Sequence, residues 1–291
     1  MLKSTVMTLA RKTGILRRLN WHLRRLNYRR RVDVNGVPIR IPTILGISSE
    51  VTEVWMIELL VKLLRQRRGA FVDVGVNVGQ TLIKVKALDS QRRYIGFEPN
   101  PVCVFYVKEL IRENAFQGCT VFPIGLYTQD AVLSLDLFSE TPTDSSASVV
   151  SGYRPTARVA SKMFVPVFRF DTIADLLDVD SVALLKIDVE GAELEVVTSL
   201  ASLIRAHRPT VLLEVLPAYS DDNVSRKARQ TQLERIFADA HYAVFRVAKT
   251  PDDRYAGLRR VDGFGIHSDL SQCDYVMVPN EHREGLSDVL P

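Results

Sequence analysis

Apolar positions change their period several times along the chain, and each change marks an element. In VDVNGVPIRIP (32–42) apolar and polar residues alternate on both sides of Asn35-Gly36, which predicts two short strands joined by a tight hairpin turn. Over about 49–68 the apolar positions include Val51, Val54, Trp55, Leu59 and Val61, a helical pattern that Gly69 is placed to end. Beyond it, short apolar runs alternate with helical stretches: strand 70–74, helix 79–88, strand 94–97, helix 101–115 and strand 120–124. Segments 131–138 and 163–168 then read as paired strands around a Ser/Thr/Pro-rich stretch, 139–161, of the kind that forms a lid or binding loop. The alternation resumes with helix 171–178, strand 183–188, helix 192–205, strand 210–215, helix 226–240 and strands 242–247 and 274–278, the last two separated by a long connection at 249–272.

Such alternation means crossover units, and hence a parallel sheet covered on both faces. From residue 70 onward the expectation is an α/β fold with a mostly parallel seven-stranded sheet, five strands alternating with helices and two closing an edge.

Composition narrows the class without changing this picture. The 291 residues are 46% hydrophobic and 25% charged, with 15 Gly and 13 Pro, which excludes a disordered or collagenous chain. Cys103, Cys119 and Cys273 are odd in number, far apart and free of any C-x-x-C pair, so they suggest packed thiols in a reducing, cytoplasmic setting and argue against structural zinc.

Charge divides the chain. Residues 1–31 hold ten Lys/Arg and no acid, while 32–291 are net −6, so the sequence pI near 9.0 is the property of one segment. Within that arm Leu16, Leu19, Leu23 and Leu26 recur at three- and four-residue intervals beside Arg17, Arg18, Arg24 and Arg25, an amphipathic basic helix. It suits an anionic membrane surface or a nucleic acid; the alternative is a helix whose leucines dock on the protein's own body. No run of 18 apolar residues occurs.

Chemistry enters at the strand ends. FVDVGVNVGQT (71–81) carries Asp73, Gly75, Asn77 and Gly79 where a buried strand turns into a helix, so a ligand can approach the backbone and the free N–H groups of the helix start. The spacing is not the G-x-G-x-x-G of a dinucleotide site, and an acid at Asp73 would repel a pyrophosphate but suit an ammonium group. YIGFEPNP (94–101) puts Glu98 at the next strand end, where a carboxylate can accept both ribose hydroxyls of an adenosine. One acid for an amine and one for a ribose describe S-adenosyl-L-methionine, which carries a sulfonium and no phosphate.

LLKIDVEGAELEVV (184–197) delivers Lys186, Asp188 and Glu190 at alternate positions, and TVLLEV (210–215) brings Glu214 near the end of the following strand. These groups could converge where a methyl group leaves sulfur. Glu193 reads instead as a cap for the helix that follows. Asp188, Glu190 and Glu214 are also hard oxygen ligands of the kind magnesium or calcium takes, but nothing beyond carboxylate count supports a cation, and no metal ligand is assigned.

FVDVGVNVG, FEPNP, ENA at 113–115, LLKIDVEGAELEV and RPTVLLEV, in this order, resemble the FkbM family of S-adenosylmethionine-dependent methyltransferases over about residues 50–248. The resemblance implies a Rossmann-like methyltransferase domain, here 32–291 with its cofactor core at about 70–215 behind the 1–31 arm. It implies O-methylation of a hydroxyl on a sugar, glycolipid or polyketide-like natural product. By position, Asp73, Gly75, Asn77 and Gly79 would form the methionine-side loop, Glu98 would hold the ribose, Pro99 and Asn100 the adenosine edge, and Asp188 and Glu190 would face the reaction centre. Val76 and Gln80 depart from the Ala and the aromatic residue common there.

Asp188 is the expected base or orienting group, with Glu190, Glu214 and Lys186 next. Segments 139–161 and 249–272 are expected to shape the acceptor pocket, with His267 the one histidine placed to reach it. A nucleic-acid methyltransferase is the rival reading, but strand 183–188 ends in IDVE and not in an N/D-P-P-Y motif, and the body is acidic. A non-catalytic ligand-binding protein of the same fold is another. The acceptor is therefore expected to be a small molecule, glycan or lipid-linked hydroxyl, with the arm making peripheral contact at the inner face of a membrane.

Overall fold

The computed structural model describes residues 27–154 and 157–283. The leucine-arginine periodicity at 16–26 lies outside the described residues. Strand β1 (Tyr28–Val34) pairs antiparallel with β2 (Val37–Ile44) around Asn35 and Gly36, both at positive φ, as the hairpin pattern requires. The hairpin starts four residues earlier than its apolar alternation suggested, so Arg29, Arg30 and Arg31 belong to the folded body and not to a helical arm. Their alternation explains it: Arg30 turns inward to donate to the Ser49 carbonyl at 2.6 Å, while Arg29 and Arg31 face outward. A two-residue β3 (Ile47–Ser48) completes this small sheet.

The main sheet has eight strands, in the order β13-β12-β14-β11-β10-β4-β5-β6. Five run parallel: β4 (Ala70–Val74), β5 (Tyr94–Phe97), β6 (Cys119–Phe122), β10 (Val182–Ile187) and β11 (Thr210–Glu214). β14 (Asp274–Pro279) inserts antiparallel between β11 and β12 (Tyr242–Lys249). The eighth strand, β13 (Tyr255–Arg260), lies within what reads from sequence as a connection; YAGLRR is too polar and too exposed on its outer edge to register as a buried strand. Segment 249–272 is thus occupied with edge pairing.

Helices cover both faces. Val54–Gln66, Gln80–Leu88 and Pro101–Asn114 pack on one, around Trp55, Leu59, Leu82, Tyr106 and Leu110. Glu193–Ser199, Ala201–His207 and Val224–Asp239 pack on the other, around Val197, Leu203, Leu233 and Phe237. The first two of these read as one helix in the sequence, and the chain breaks at Leu200. The Rossmann-like expectation, a mostly parallel sheet between two helical layers preceded by a hairpin and a helix, holds with one strand added. A third sheet, β7 (Gly125–Leu126), β9 (Ser161–Phe168) and β8 (Ala131–Leu137), lies beside the carboxyl ends of the parallel strands. Among the described residues no helix is long and apolar enough to cross a membrane.

Candidate functional site

A cleft opens beyond the carboxyl ends of β4, β5, β10 and β11, where parallel sheets present ligand sites. Gly75 forms its floor with φ +90°; a Cβ there would stand 1.8 Å from the Asp188 carbonyl oxygen, so only glycine lets the β4 and β10 loops pass. Val76, the departure from Ala, is accommodated from below, because Gly96 has no side chain where Val76 Cγ2 packs.

Glu98 is buried, and its two oxygens are held by backbone. Oε2 accepts from Asn77 N–H at 2.7 Å and Oε1 from Asn100 N–H at 2.8 Å. Burial pushes its carboxyl up to about 7, against those two amide hydrogen bonds. Asn100 caps the helix Pro101–Asn114 by accepting from Val102 N–H at 3.0 Å, and its Nδ2 donates to the Pro142 carbonyl at 2.8 Å. The expected adenosine edge is thereby tied to segment 139–154. That segment does wall the cleft, through Asp144, Ser145, Ala147 and Val149, with Leu126, Leu135 and Val167 of the third sheet beside them. Asp144 shapes it by accepting from Phe138 N–H, Ser139 N–H and Ser146 N–H at 2.6, 2.9 and 3.0 Å.

Facing Glu98 across the cleft are Lys186, Asp188, Glu190 and Glu214. Lys186 Nζ donates to Asp188 Oδ2 at 3.1 Å and stands 3.6 Å from Asp73 Oδ1. Burial opposes the Lys186 charge, but Asp188, Asp73 and Glu53 outweigh it and raise its pKa. Burial likewise opposes ionisation of Asp188, yet Lys186 and a hydrogen bond with Glu214 hold its carboxyl below the ordinary range. The Asp188 charge in turn, with burial, drives Glu214 far upward. The pair therefore keeps one proton, carried by Glu214, and leaves Asp188 ionised. Glu190, at φ +51°, is raised by burial and by Asp188, and accepts from Arg154 Nη2 at 2.6 Å.

Two expected site residues do not line the cleft. Asp73 is fully buried below it, its carboxylate accepting from the Tyr94 hydroxyl and neighbouring Lys186, its register partner on β10. The cause is strand parity: Asp73 shares the face of Phe71, which packs under the helices, so its carboxylate is turned to Tyr94 and Lys186. Gly79 starts the helix Gln80–Leu88 at φ +79°, and a Cβ there would lie 2.9 Å from Leu110 Cδ2; it is a packing glycine. His267 and the 249–272 segment do not line the cleft either. Glu193, expected to cap its helix, is instead the first helical residue and accepts from Gly191 N–H in the preceding turn at 2.7 Å, while the helix start has no side-chain cap.

Glu53 and Lys84 were not visible as site residues. Glu53 lines the cleft from the residue before the helix Val54–Gln66, where an acid looks like an ordinary partner of the helix dipole. Its Oε2 accepts at 2.6 Å from the fully buried Lys84, whose pKa burial lowers. The one available signal was a lysine inside the apolar run of its helix. Among the described residues no group of three or more His, Cys, Asp or Glu is arranged to hold a metal ion.

Comparison with known proteins identifies the family. A family model described as a methyltransferase FkbM domain matches residues 73–244. Methyltransferase 1 of Beauveria bassiana (strain ARSEF 2860) is 28% identical over 142 residues, which are 44% of this chain and 57% of that protein. Methyltransferase sdnD of Sordaria araneosa is 28% identical over 149 residues, 43% of this chain and 58% of that one. The chain thus spans less than two-thirds of the length of either curated relative. Among solved structures, methyltransferase FkbM from Methylobacillus flagellatus KT has 16% identity and a TM-score of 0.45, covering 72% of this chain and 43% of that one. An O-methyltransferase from Bacillus cereus in complex with SAH has 12% identity and a TM-score of 0.45, covering 79% and 80%.

Proposed function

Because the chain belongs to the FkbM methyltransferase family, we propose that it moves a methyl group from S-adenosyl-L-methionine to a hydroxyl of a sugar, glycolipid or polyketide-like acceptor. The observation that carries this reading is a single cleft with a preset carboxylate, Glu98, on one side and Asp188, held by Lys186, with Glu214 on the other. Charge supports the fit. Among the described residues the wall holds Glu98, Asp144 and Asp188 against Lys186, with Glu53 and Glu190 balanced by Lys84 and Arg154, a lining without a free cation for a pyrophosphate and suited to a ligand with sulfonium and ammonium groups.

When bound, the cofactor supplies a methyl group on a positively charged sulfur. Glu98 accepts the ribose hydroxyls, its oxygens already aimed by the Asn77 and Asn100 amides. Pro99 and Asn100 form the adenosine edge, and Gly75 leaves room for the methionine portion. Asp188, kept ionised by Lys186, takes the proton of the acceptor hydroxyl, a contribution of roughly 10²–10⁴-fold in rate. Glu214, already protonated, orients Asp188. Lys186 balances Asp188 and the buried Asp73 together. A reducing, cytoplasmic setting suits the three free cysteines.

Two measurements test this. Calorimetric titration with S-adenosylhomocysteine should show stoichiometric binding, and its absence would leave a non-catalytic fold. Incubation with methyl-labelled S-adenosylmethionine and a glycan or lipid extract should label a base-stable ether. Label appearing on nucleic acid instead would overturn the choice of acceptor.

A further inference from the structure

The hairpin β1–β2 turns one face to the core and the other to solvent. Val34, Ile39 and Ile41 are buried inward, and Arg29, Arg31 and Arg40 stand exposed outward. Arg31 and Arg40 are direct register partners in this antiparallel pair. Like charges placed opposite one another destabilise a sheet, yet among the described residues neither guanidinium has an acidic partner. Arg29 alone is balanced, by Glu113 at 2.7 Å. Among the described residues this pair of arginines therefore has no counter-charge.

Three further observations point to what supplies it. β1 is an edge strand, and among the described residues no strand pairs with its outer side. Tyr28 and Leu45, 57% and 61% exposed, are brought to one end of the hairpin by the Tyr28–Thr43 register and by Leu45 N–H donating to Asn27 Oδ1 at 3.2 Å. At that same end the chain continues into residues 1–26, which hold seven Lys/Arg and no acid. Unbalanced arginines with an adjacent aromatic and aliphatic pair match a lipid interface, where the rings and methyls sink among the headgroups and the cations meet anionic phosphates.

We infer that the β1–β2 hairpin, through Arg31 and Arg40 on its outer face and Tyr28 and Leu45 at its open end, is a docking surface for an anionic lipid bilayer. Attachment through several cations to anionic headgroups should weaken as salt is raised. This inference is independent of the catalytic reading.

The full chain should co-sediment with phosphatidylcholine vesicles containing phosphatidylglycerol and stay in solution with phosphatidylcholine alone. Arg31→Glu/Arg40→Glu should weaken binding about tenfold or more, and Tyr28→Ser/Leu45→Ser several-fold. A far-ultraviolet circular dichroism melt identical to that of the unmodified chain shows that the variants are folded. If one is not, Arg31→Gln/Arg40→Gln, which removes charge without reversing it, replaces it. Wild-type binding that ignores phosphatidylglycerol overturns the proposal. So does an Arg31→Glu/Arg40→Glu chain that binds like wild type, since residues 1–26 would then suffice. Displacement from the vesicles by a stoichiometric duplex oligonucleotide overturns it in favour of nucleic acid.

Discussion

The two sides of the cleft hold their carboxylates in opposite ways. On the Glu98 side, geometry is written into the backbone: two amides of neighbouring turns fix both oxygens, whatever the side chains around them do. On the Asp188 side, the carboxyls are held by other ionisable side chains, Lys186 between Asp73 and Asp188, and Glu214 by Asp188 itself. The first arrangement sets position and the second sets proton count. Ligand recognition needs an acceptor that stays in place, whereas taking a proton from a hydroxyl needs a group whose charge is maintained by its neighbours.

The comparison breaks most sharply at Asp188. Asp188→Asn should lower methyl transfer from labelled S-adenosylmethionine into a glycan or lipid extract by about 10²–10⁴-fold while leaving S-adenosylhomocysteine affinity within about threefold. Glu214→Gln should cost about tenfold or less, because a neutral Gln resembles the protonated Glu214 already present. Equal losses at the two positions would show that the proton is not divided as described.

Glu98→Gln tests the other side and should act on binding, weakening S-adenosylhomocysteine by about tenfold in calorimetry through loss of charge-assisted hydrogen bonds. Its pH signature is distinct. The Glu98 pKa rises from 4.5 to about 7 on folding, so the native chain binds the proton more tightly than the unfolded one between those values. The stability this group contributes is complete below about 4.5 and is lost as pH rises through about 7. Thermal melts of the ligand-free protein should therefore show a smaller downward slope in Glu98→Gln between pH 5 and 7. Ribose hydroxyls prefer the ionised carboxylate, so ligand affinity should climb between pH 6 and 8 in the wild type and stay flat in the variant.

Legibility in the sequence divided along the same line. Glu98 and Asn100 could be read because an acid ending a strand and an Asn-Pro opening a helix each act locally. The orientation of Asp73 could not be read, because motif position says that a residue is near a strand end, but only parity and the covering helices decide which side its carboxylate reaches. The packing of Gly79 against Leu110 of the next helix was hidden in the same manner. The Glu53–Lys84 pair, 31 residues apart, has no local pattern at all. β13 escaped because an edge strand, half-solvated and polar, lacks the apolar run that marked its neighbours. Helix and strand order, carried by burial, was legible; which charged side chains meet was not.

The smallest expected effect lies where the two sides are joined, at segment 139–154. One tie is on the Glu98 side, from Asn100 to the Pro142 carbonyl; the others are on the Asp188 side. There Arg154 binds Glu190, and the Tyr153 ring lies against Gly191, where a Cβ would stand 2.5 Å from the ring, with the Arg226 guanidinium 4.5 Å from its centre. Arg154→Ala removes one tie of several, and a partly exposed ion pair contributes little to global stability, so the melting temperature should shift by no more than about 2 °C. The loss should appear in kinetics: S-adenosylhomocysteine should dissociate a few-fold faster in stopped-flow displacement, and amide exchange should rise within 139–154. Gly191→Ala pushes on the Tyr153 ring and should produce the same loosening without altering the Arg154 charge. If neither variant changes dissociation or exchange, the segment is held from the Asn100 side alone, and the two sides of the cleft are coupled by nothing more than the sheet beneath them.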